Sequence, residues 1–535
     1  MTTTDQGNRT RPAPPAGSPA GLPPVVTGAA RRLVDQVRCA SGRTLTTHAP
    51  YTGAELAQLP QCDIADVDAA FARARAAQRA WAARGARERA HIFLKLHDLL
   101  LARQDEIMDL IQAENGKSRR DAFLEVADIA NTARYYARTA PGLLRAKRRT
   151  GLLPGLTAAR ELRHPKGVVT VISPWNYPLA LSVGDTIPAL IAGNAVVQKP
   201  DNQTALTALW GLALAREAGL PADVWQMVLG RGSEIGDTLI ERADYLMFTG
   251  STASGKKVAA QAAARLIGSS MELGGKNAML VLDDADLERT VEGAVRACFS
   301  SSGQLCISIE RMYVQDGIYD SFVPRFVDAV KAMRIGGGYD FGYDMGALTT
   351  PAQIEAVTAH VQDAVANGAK VLAGGNARPD LGPLFFEPTV LTGVPAGARC
   401  FGEETFGPLV SIYRFSDVED AIARANDTPY GLNASVWTRS ARRGRDVAAR
   451  LHAGTVNINE AYAAAWGSVD APMGGVGESG LGRRHGSEGL LKYTEAQTLA
   501  RQRLMNIAPP GKLGHERFAR IMTVSLALLR RIGWR

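Results

Sequence analysis

Between residues 168 and 265 the chain alternates short apolar runs with stretches of helical length, and no other feature constrains its fold as tightly. Residues 168–172, 195–199, 224–229 and 244–248 read as buried strands; 184–192, 204–218 and 256–265 read as helices between them. That alternation means βαβ crossovers and a parallel sheet. Open sheets of this kind bind ligands beyond the carboxyl ends of their strands. The first strand is stopped by Ser173 and Pro174, so the loop of Trp175, Asn176 and Tyr177 is delivered to that edge.

A chain of 535 residues is too long for one core, so two or three domains are expected. The five cysteines (39, 62, 298, 306, 400) include no CxxC pair. This argues against a disulfide framework or zinc knuckle and for a reducing cytoplasm, with no metal site expected. No apolar stretch follows the N-terminal charges as in a signal peptide, and no run is long enough to span a membrane. The net charge is +8, but residues 501–535 hold eight basic side chains against one acid, Glu516. The basicity belongs to the tail, and the body gives no sign of nucleic-acid binding.

Residues 1–24, rich in Pro, Gly and Thr, read as disordered. Strand-like pieces follow at 43–49 and 54–60, then helices at 64–83 (with Asp63 as its N-cap), 87–113 and 121–144, all read as scaffold. A short strand is expected at 160–165. Beyond residue 306 the alternation resumes: strand 312–314, helices 319–333 and 351–367, strands near 372 and at 410–415, helix 418–425. The Gly-rich 472–486 reads as a structured loop.

The stretch from Met271 to Arg311 carries the chemistry. Glu272 opens it beside Gly274 and Gly275, an apolar run (278–282) and a helical pattern (from Leu287 to Cys298) follow, and Cys306 closes it behind Gly303 and Gln304. A thiolate that attacks an electrophilic carbon, with a carboxylate that later activates water, is covalent catalysis. Taken singly, Cys306 reads as a buried structural thiol, Glu272 as a surface acid and Asn176 as a turn residue. FTGSTASGKKV (248–258), with Gly250 and Ser251, is a strand end and helix start whose backbone N–H groups can hold a phosphate, though it is not GxGxxG. Lys199 ends a strand of the same sheet, where its ammonium can reach a ribose or phosphate.

Taken together, PWNYP (174–178), QKP (198–200), FTGST (248–252), MELGGKN (271–277), GQLC (303–306), EETFGP (403–408) and PMGGVGESGLGR (472–483) resemble, in order and spacing, the aldehyde dehydrogenase superfamily across about residues 25–500. Within it the chain is most similar to bacterial NADP-dependent succinate-semialdehyde dehydrogenases. The resemblance implies that Cys306 attacks the aldehyde to give a thiohemiacetal. The Asn176 amide and the Cys306 N–H form the oxyanion hole, a thioester follows, and Glu272 activates the hydrolytic water. It implies that Glu404 holds the nicotinamide ribose, that Phe406 packs on the nicotinamide, and that Lys199 and Ser251 contact the adenosine ribose and diphosphate, in a cofactor site that also takes in Trp175 and Gly250. NAD-preferring relatives carry Glu three residues after the Lys; here it is Asn202, which cannot repel a 2′-phosphate, so NADP is expected, with NAD possible.

The chain departs from the family in four places. Arginines that usually meet a substrate carboxylate are replaced by Gly184 and Ser300. A second Cys two residues after the nucleophile, found in some relatives, is Ser308, so no redox-switch disulfide is expected. A Lys and a Glu near the general base are exchanged in sign to Asp185 and Arg484, which are expected to pair. The tail continues past the usual end near 497–504, a strand used in subunit pairing. Phe518, Ile521, Met522, Ser525, Leu528, Leu529 and Ile532 fall on one helical face flanked by arginines. Such a helix either lies on an anionic membrane surface or docks on the enzyme's own body.

The expected fold is α/β. A doubly wound parallel-sheet cofactor domain (25–145 and 165–273) joins a catalytic α/β domain (274–487), a small β oligomerisation element (146–164 and 488–504) and a basic C-terminal extension (505–535). The expected protein is a cytoplasmic homodimer or homotetramer that oxidises succinate semialdehyde with NADP. The alternatives are another aliphatic or aromatic aldehyde, or a catalytically silent, cofactor-binding or membrane-associated homologue.

Overall fold

The computed structural model describes residues 21–151, 157–502, 508–509 and 511–534. The expectation of disorder falls mostly outside the described residues, and Pro24 already opens a helix, Pro24–Val34.

Two α/β bodies carry the site. The first is a six-stranded sheet in the order Gly480–Leu481, Gly268–Glu272, Tyr245–Thr249, Val168–Ser173, Ala195–Pro200, Trp225–Met227. All its pairings are parallel except that of the short outer strand 480–481. The chain runs outward from Val168–Ser173 to Trp225–Met227, then returns to pair Tyr245–Thr249 on the other side. That reversal opens a crevice between the loops after Ser173 and Thr249. The strands are apolar and buried because helices cover them: Val168, Val169, Val171, Val196, Val197, Leu246 and Met247 are all fully enclosed.

The second body is a seven-stranded sheet in the order Lys370–Ala373, Thr389–Thr392, Leu409–Phe415, Ile309–Gln315, Asn277–Val281, Asn433–Trp437, Thr455–Ile458. Only its outermost strand is antiparallel. A separate three-stranded antiparallel sheet joins Thr494–Gln502, Thr157–Pro165 and Lys147–Arg149, with Thr494–Gln502 as an exposed edge.

Local chemistry sets the element ends. Asp63 and Asp66 form a reciprocal cap, Asp66 N–H to Asp63 Oδ1 at 2.9 Å and Asp63 N–H to Asp66 Oδ2 at 3.1 Å, which starts Ile64–Ala83 as expected. The helix expected over 87–113 is two helices, Ala86–Ala102 and Gln104–Asn115. Arg103 leaves helical geometry between them (φ −117°), and its guanidinium is held by Glu106 and Glu217. Helices expected to begin at Gly184 and Lys256 begin earlier, as Pro178–Ile191, where Pro suits the first turn, and Thr252–Ala264, capped by Ser251. The helix Gly232–Arg242 and the strand Gly268–Glu272 were not anticipated.

Candidate active site

Cys306 sits in a loop with little freedom. Ser301, Ser302 and Gly303 all have left-handed backbones (φ 53°, 56° and 70°). A Cβ on Gly303 would lie 2.0 Å from the carbonyl oxygen of Gly407, so only glycine fits. Asn277 Nδ2 donates to the carbonyls of Cys306 (2.8 Å) and Ser308 (2.7 Å), and Ser302 Oγ to Gly346 (3.1 Å). The thiol is partly buried, and burial, with Glu272 and Glu404 adding to it, pushes it up to about 12.

Asn176 is buried on the loop that ends Val168–Ser173, and its Nδ2 donates to Gln304 O at 3.0 Å. An amide NH2 has a second hydrogen, left for an oxygen at Cys306. Residues read as scaffold hold this loop. Lys117, fully buried, donates to Asn176 O (2.7 Å) and to Glu125 (2.7 Å), and lies 3.6 Å from the centre of the Tyr177 ring. The other Glu125 oxygen accepts the N–H groups of Leu179 (2.8 Å) and Ala180 (3.0 Å), the first turn of Pro178–Ile191. Asn115 Nδ2 donates to the Trp175 carbonyl at 3.0 Å. Sequence reasoning missed these residues; buried charges within a helical pattern were the only signal.

Glu272 ends Gly268–Glu272 and is buried, with Oε1 free of any partner among the described residues. Burial pushes it up to about 7, against the pull of Arg484 and Lys492. Behind it the expected ion pair is present: Arg484 Nε donates to Asp185 Oδ1 at 2.9 Å, both side chains buried. Burial and the neighbouring guanidinium hold His485 down to about 3, so it stays neutral there.

A cleft of ≈ 280 Å³ runs beside these groups. It is lined by Trp175, Asn176, Gly250, Ser251, Glu272, Cys306, Glu404 and Phe406 among others. Glu404 Oε1 accepts the Gly275 N–H at 2.8 Å, and a Cβ on Gly274 would collide with the same carboxylate. Burial, then Glu310, pushes Glu404 up to about 8. Phe406 has a left-handed backbone (φ 52°) and meets Trp175 edge-on at 5.5 Å. Glu310 fixes that turn by accepting the N–H groups of Thr405 and Phe406, and is itself held by Lys276 at 2.5 Å. At the other end Ser251 caps Thr252–Ala264, so a helix N-terminus faces the cleft.

Lys199 and Asn202 do not line this cleft. Lys199 is buried, and its only acceptor among the described residues is Pro200 O at 3.3 Å; burial holds its ammonium below the usual lysine range. Asn202 bridges Gly230 N–H (3.2 Å) and Gln61 Oε1 (3.3 Å). In the cleft, a helix N-terminus suits a dinucleotide phosphate and the Glu404 carboxylate can accept from ribose hydroxyls; Lys199, an under-partnered cation, lies outside that lining.

A second, mainly apolar pocket also reaches Cys306 and shares Asn176, Leu181 and Cys306 with the cleft. Leu124, Tyr177, Tyr462, Trp466 and Met473 form its walls, and Arg484 is the one cation in its lining. The Ser300 hydroxyl is engaged by Tyr462 OH at 2.8 Å. A Cβ on Gly184 would lie 3.2 Å from Ile129 Cδ1 and 3.6 Å from an Arg484 Nη, so the Arg484 guanidinium borders the space a side chain at 184 would enter.

Comparison with known proteins identifies the family. The aldehyde dehydrogenase family profile matches residues 37–499. A Mycolicibacterium smegmatis protein named "Putative succinate-semialdehyde dehydrogenase", NADP(+), is 53% identical over 485 residues, covering 91% of this chain and 94% of its own. The mitochondrial succinate-semialdehyde dehydrogenase of Arabidopsis thaliana is 40% identical over 459 residues, 85% of each chain. Among solved structures, an E. coli NADP-dependent enzyme superposes with TM-score 0.83 at 35% identity, over 87% of this chain and 96% of that one. A Staphylococcus aureus betaine aldehyde dehydrogenase with NAD+ does so with TM-score 0.83 at 31% identity, over 89% and 95%. With its profile spanning most of the sequence and relatives this similar, the chain belongs to the aldehyde dehydrogenase family.

Proposed function

We propose that this chain oxidises succinate semialdehyde to succinate with NADP+. The observation that carries the reading is the meeting of two clefts at Cys306, one suited to a dinucleotide and one to a small carbonyl compound.

Cys306 is the nucleophile. Its raised pKa means that it rests as a thiol, so a base must take its proton as sulfur bonds to the carbonyl carbon. Glu272, titrating near neutrality with a free oxygen on the same cleft, is that base. The second Asn176 N–H and the Cys306 N–H receive the charge that develops on oxygen. Lys199, Ser251, Glu404 and Phe406 hold the cofactor, which when bound supplies the hydride acceptor that turns the thiohemiacetal into a thioester. Glu272 first gives up the thiol's proton to solvent through the cleft, and then takes a proton from the water that cleaves the thioester; the acid leaves and the thiolate of Cys306 is reprotonated.

Two observations support the narrower assignments. Arg484 lines the pocket with Nη groups that make no hydrogen bond among the described residues, though Asp185, Glu272 and Asp128 share its charge; those Nη groups are the candidate for carboxylate recognition in place of the absent arginines at 184 and 300. Asn202 adds no further negative charge to that of Asp201 near Lys199, so the repulsion that a carboxylate at 202 would offer a 2′-phosphate is absent. The exposed edge Thr494–Gln502 is the surface we assign to subunit pairing. The apolar walls favour a second reading, an uncharged aliphatic or aromatic aldehyde.

Steady-state kinetics with NADP+ separates them. A charge-assisted hydrogen bond contributes about 1.5–3 kcal/mol, so kcat/KM for succinate semialdehyde is expected to exceed that for butanal by roughly 10–100-fold. Equal values, or a preference for butanal, would discard the succinate assignment. An NADP+/NAD+ ratio of kcat/KM below one would discard the cofactor preference.

A further inference from the structure

The C-terminal helix His515–Arg531 packs into no core among the described residues; only one of its faces, Phe518, Met522, Ser525 and Leu529, is half-buried. No residue of it is buried, it joins none of the four hydrophobic clusters, and among the described residues its only side-chain ion pair is internal, Arg520 to Glu516 at 2.6 Å. Yet it is built to be covered. Ile521, Val524, Leu526 and Leu528 are each more than half exposed, as are Ile532 and Trp534 just beyond. At 100° per residue the apolar side chains sweep more than half the circumference. Arg530 stands at one margin of that arc and Arg520 and Arg531 at the other, while Arg517, in the first turn, projects inside it between Val524 and Leu528.

We infer that His515–Arg531 is a peripheral anchor that lays this enzyme on an anionic lipid surface. Apolar residues with cations at both margins fit a bilayer interface: side chains sink among the acyl chains while guanidinium groups reach the phosphates. Seventeen residues rise only about 26 Å, short of a hydrocarbon core, and the helix carries four arginines, so it lies in the plane rather than crossing. Among the described residues no helix is long and apolar enough to cross a membrane. Charge argues against pairing with the same helix of a second copy. Parallel or antiparallel, arginine ends would face arginine ends, and the single acid is already engaged. The sheet that leads into the tail carries the same sign. Arg148 lies directly across from Arg160, and Arg501 points to that face of the sheet. None of the three forms an ion pair among the described residues.

The test is flotation of the full-length protein with vesicles of phosphatidylcholine alone or with roughly 30% phosphatidylglycerol. Binding is expected to be at least about tenfold stronger to the anionic vesicles and to weaken with salt. Deleting residues 508–535 is expected to abolish it. Ile521→Asp with Leu528→Asp, and separately Arg520→Glu with Arg531→Glu, are each expected to weaken it by about tenfold or more. Turnover in vesicle-free buffer should be unchanged in all three, which shows that the body is folded. Equal binding to both vesicle types, no binding, or undiminished binding by the deletion overturns the anchor. A deletion that lowers the solution mass of an enzyme indifferent to vesicles would instead assign the helix to a partner subunit.

Discussion

At the scale of single residues, Arg484 answers to four neighbours: it pairs with Asp185, draws down the pKa of Glu272, Asp128 and Cys306, and supplies the cation in the pocket. These roles separate experimentally. Asp185→Lys combined with Arg484→Glu keeps an ion pair but reverses the charge beside the base and the pocket. Stability is expected to stay closer to the native value than in either single variant, because a lone buried charge costs about 3–5 kcal/mol. The preference for succinate semialdehyde over butanal is expected to vanish. The pH profile should move as well. Glu272 works deprotonated and burial has raised it to about 7, so activity falls as pH drops through that value. Replacing the cation with an anion raises it further, so the acid limb should shift to higher pH. An unmoved limb with full succinate preference would confine Arg484 to a structural role. Much at this scale was legible: Cys306, Glu272 and Asn176 stand in characteristic neighbourhoods, and Asp185 and Arg484 announced themselves as an exchanged pair. That Arg484 abuts the space left by Gly184 was not legible, since the two lie 300 positions apart and meet only through folding.

At the scale of elements, the helices Arg119–Leu144 and Pro178–Ile191 are coupled through Glu125 and Lys117. Glu125 caps the second helix and neutralises Lys117, which in turn holds the Asn176 carbonyl. Glu125→Gln leaves a buried ammonium without its counter-charge. Urea unfolding is expected to show a loss of about 3–5 kcal/mol, with kcat reduced as the Asn176 loop loosens. Lys117→Met with Glu125→Gln should recover part of the stability, because no orphan ammonium is left and Asp121 keeps its Ser118 hydrogen bond, but not the activity. Equal losses in the single and double variants would show that the helix cap, rather than the charge pair, holds the element. Element ends were readable where a side chain acts on its own backbone, as Asp63 does for Ile64–Ala83. They were not where the cause is remote. Gly268–Glu272, sequence Gly-Ser-Ser-Met-Glu, has little strand preference of its own and is extended because Tyr245–Thr249 pairs along its whole length.

At the scale of the molecule, the site belongs to neither α/β body alone. The six-stranded sheet delivers Asn176, Ser251 and Glu272, and the seven-stranded body delivers Cys306, Glu404 and Phe406. A polar chain ties them: Asn176 Nδ2 to Gln304 O (3.0 Å), Thr349 N–H to Gln304 Oε1 (3.0 Å), and Thr349 Oγ1 to Asn115 O (2.7 Å). A ligand seated in the cleft touches both bodies, so its binding free energy must appear as resistance to their separation. At a hundredfold excess over Kd the gain is about 2.7 kcal/mol. Thermal unfolding with increasing cofactor is therefore expected to shift upward, and at equal concentration further with NADP+ than with NAD+. Asn202→Asp tests the cause, since it keeps an acceptor for the Gly230 N–H while placing a negative charge near Lys199. The shift with NADP+ should shrink and the ranking of the two cofactors should reverse. If the variant leaves the ranking intact, preference is set elsewhere in the cleft, and the neutral side chain at 202 is incidental to it.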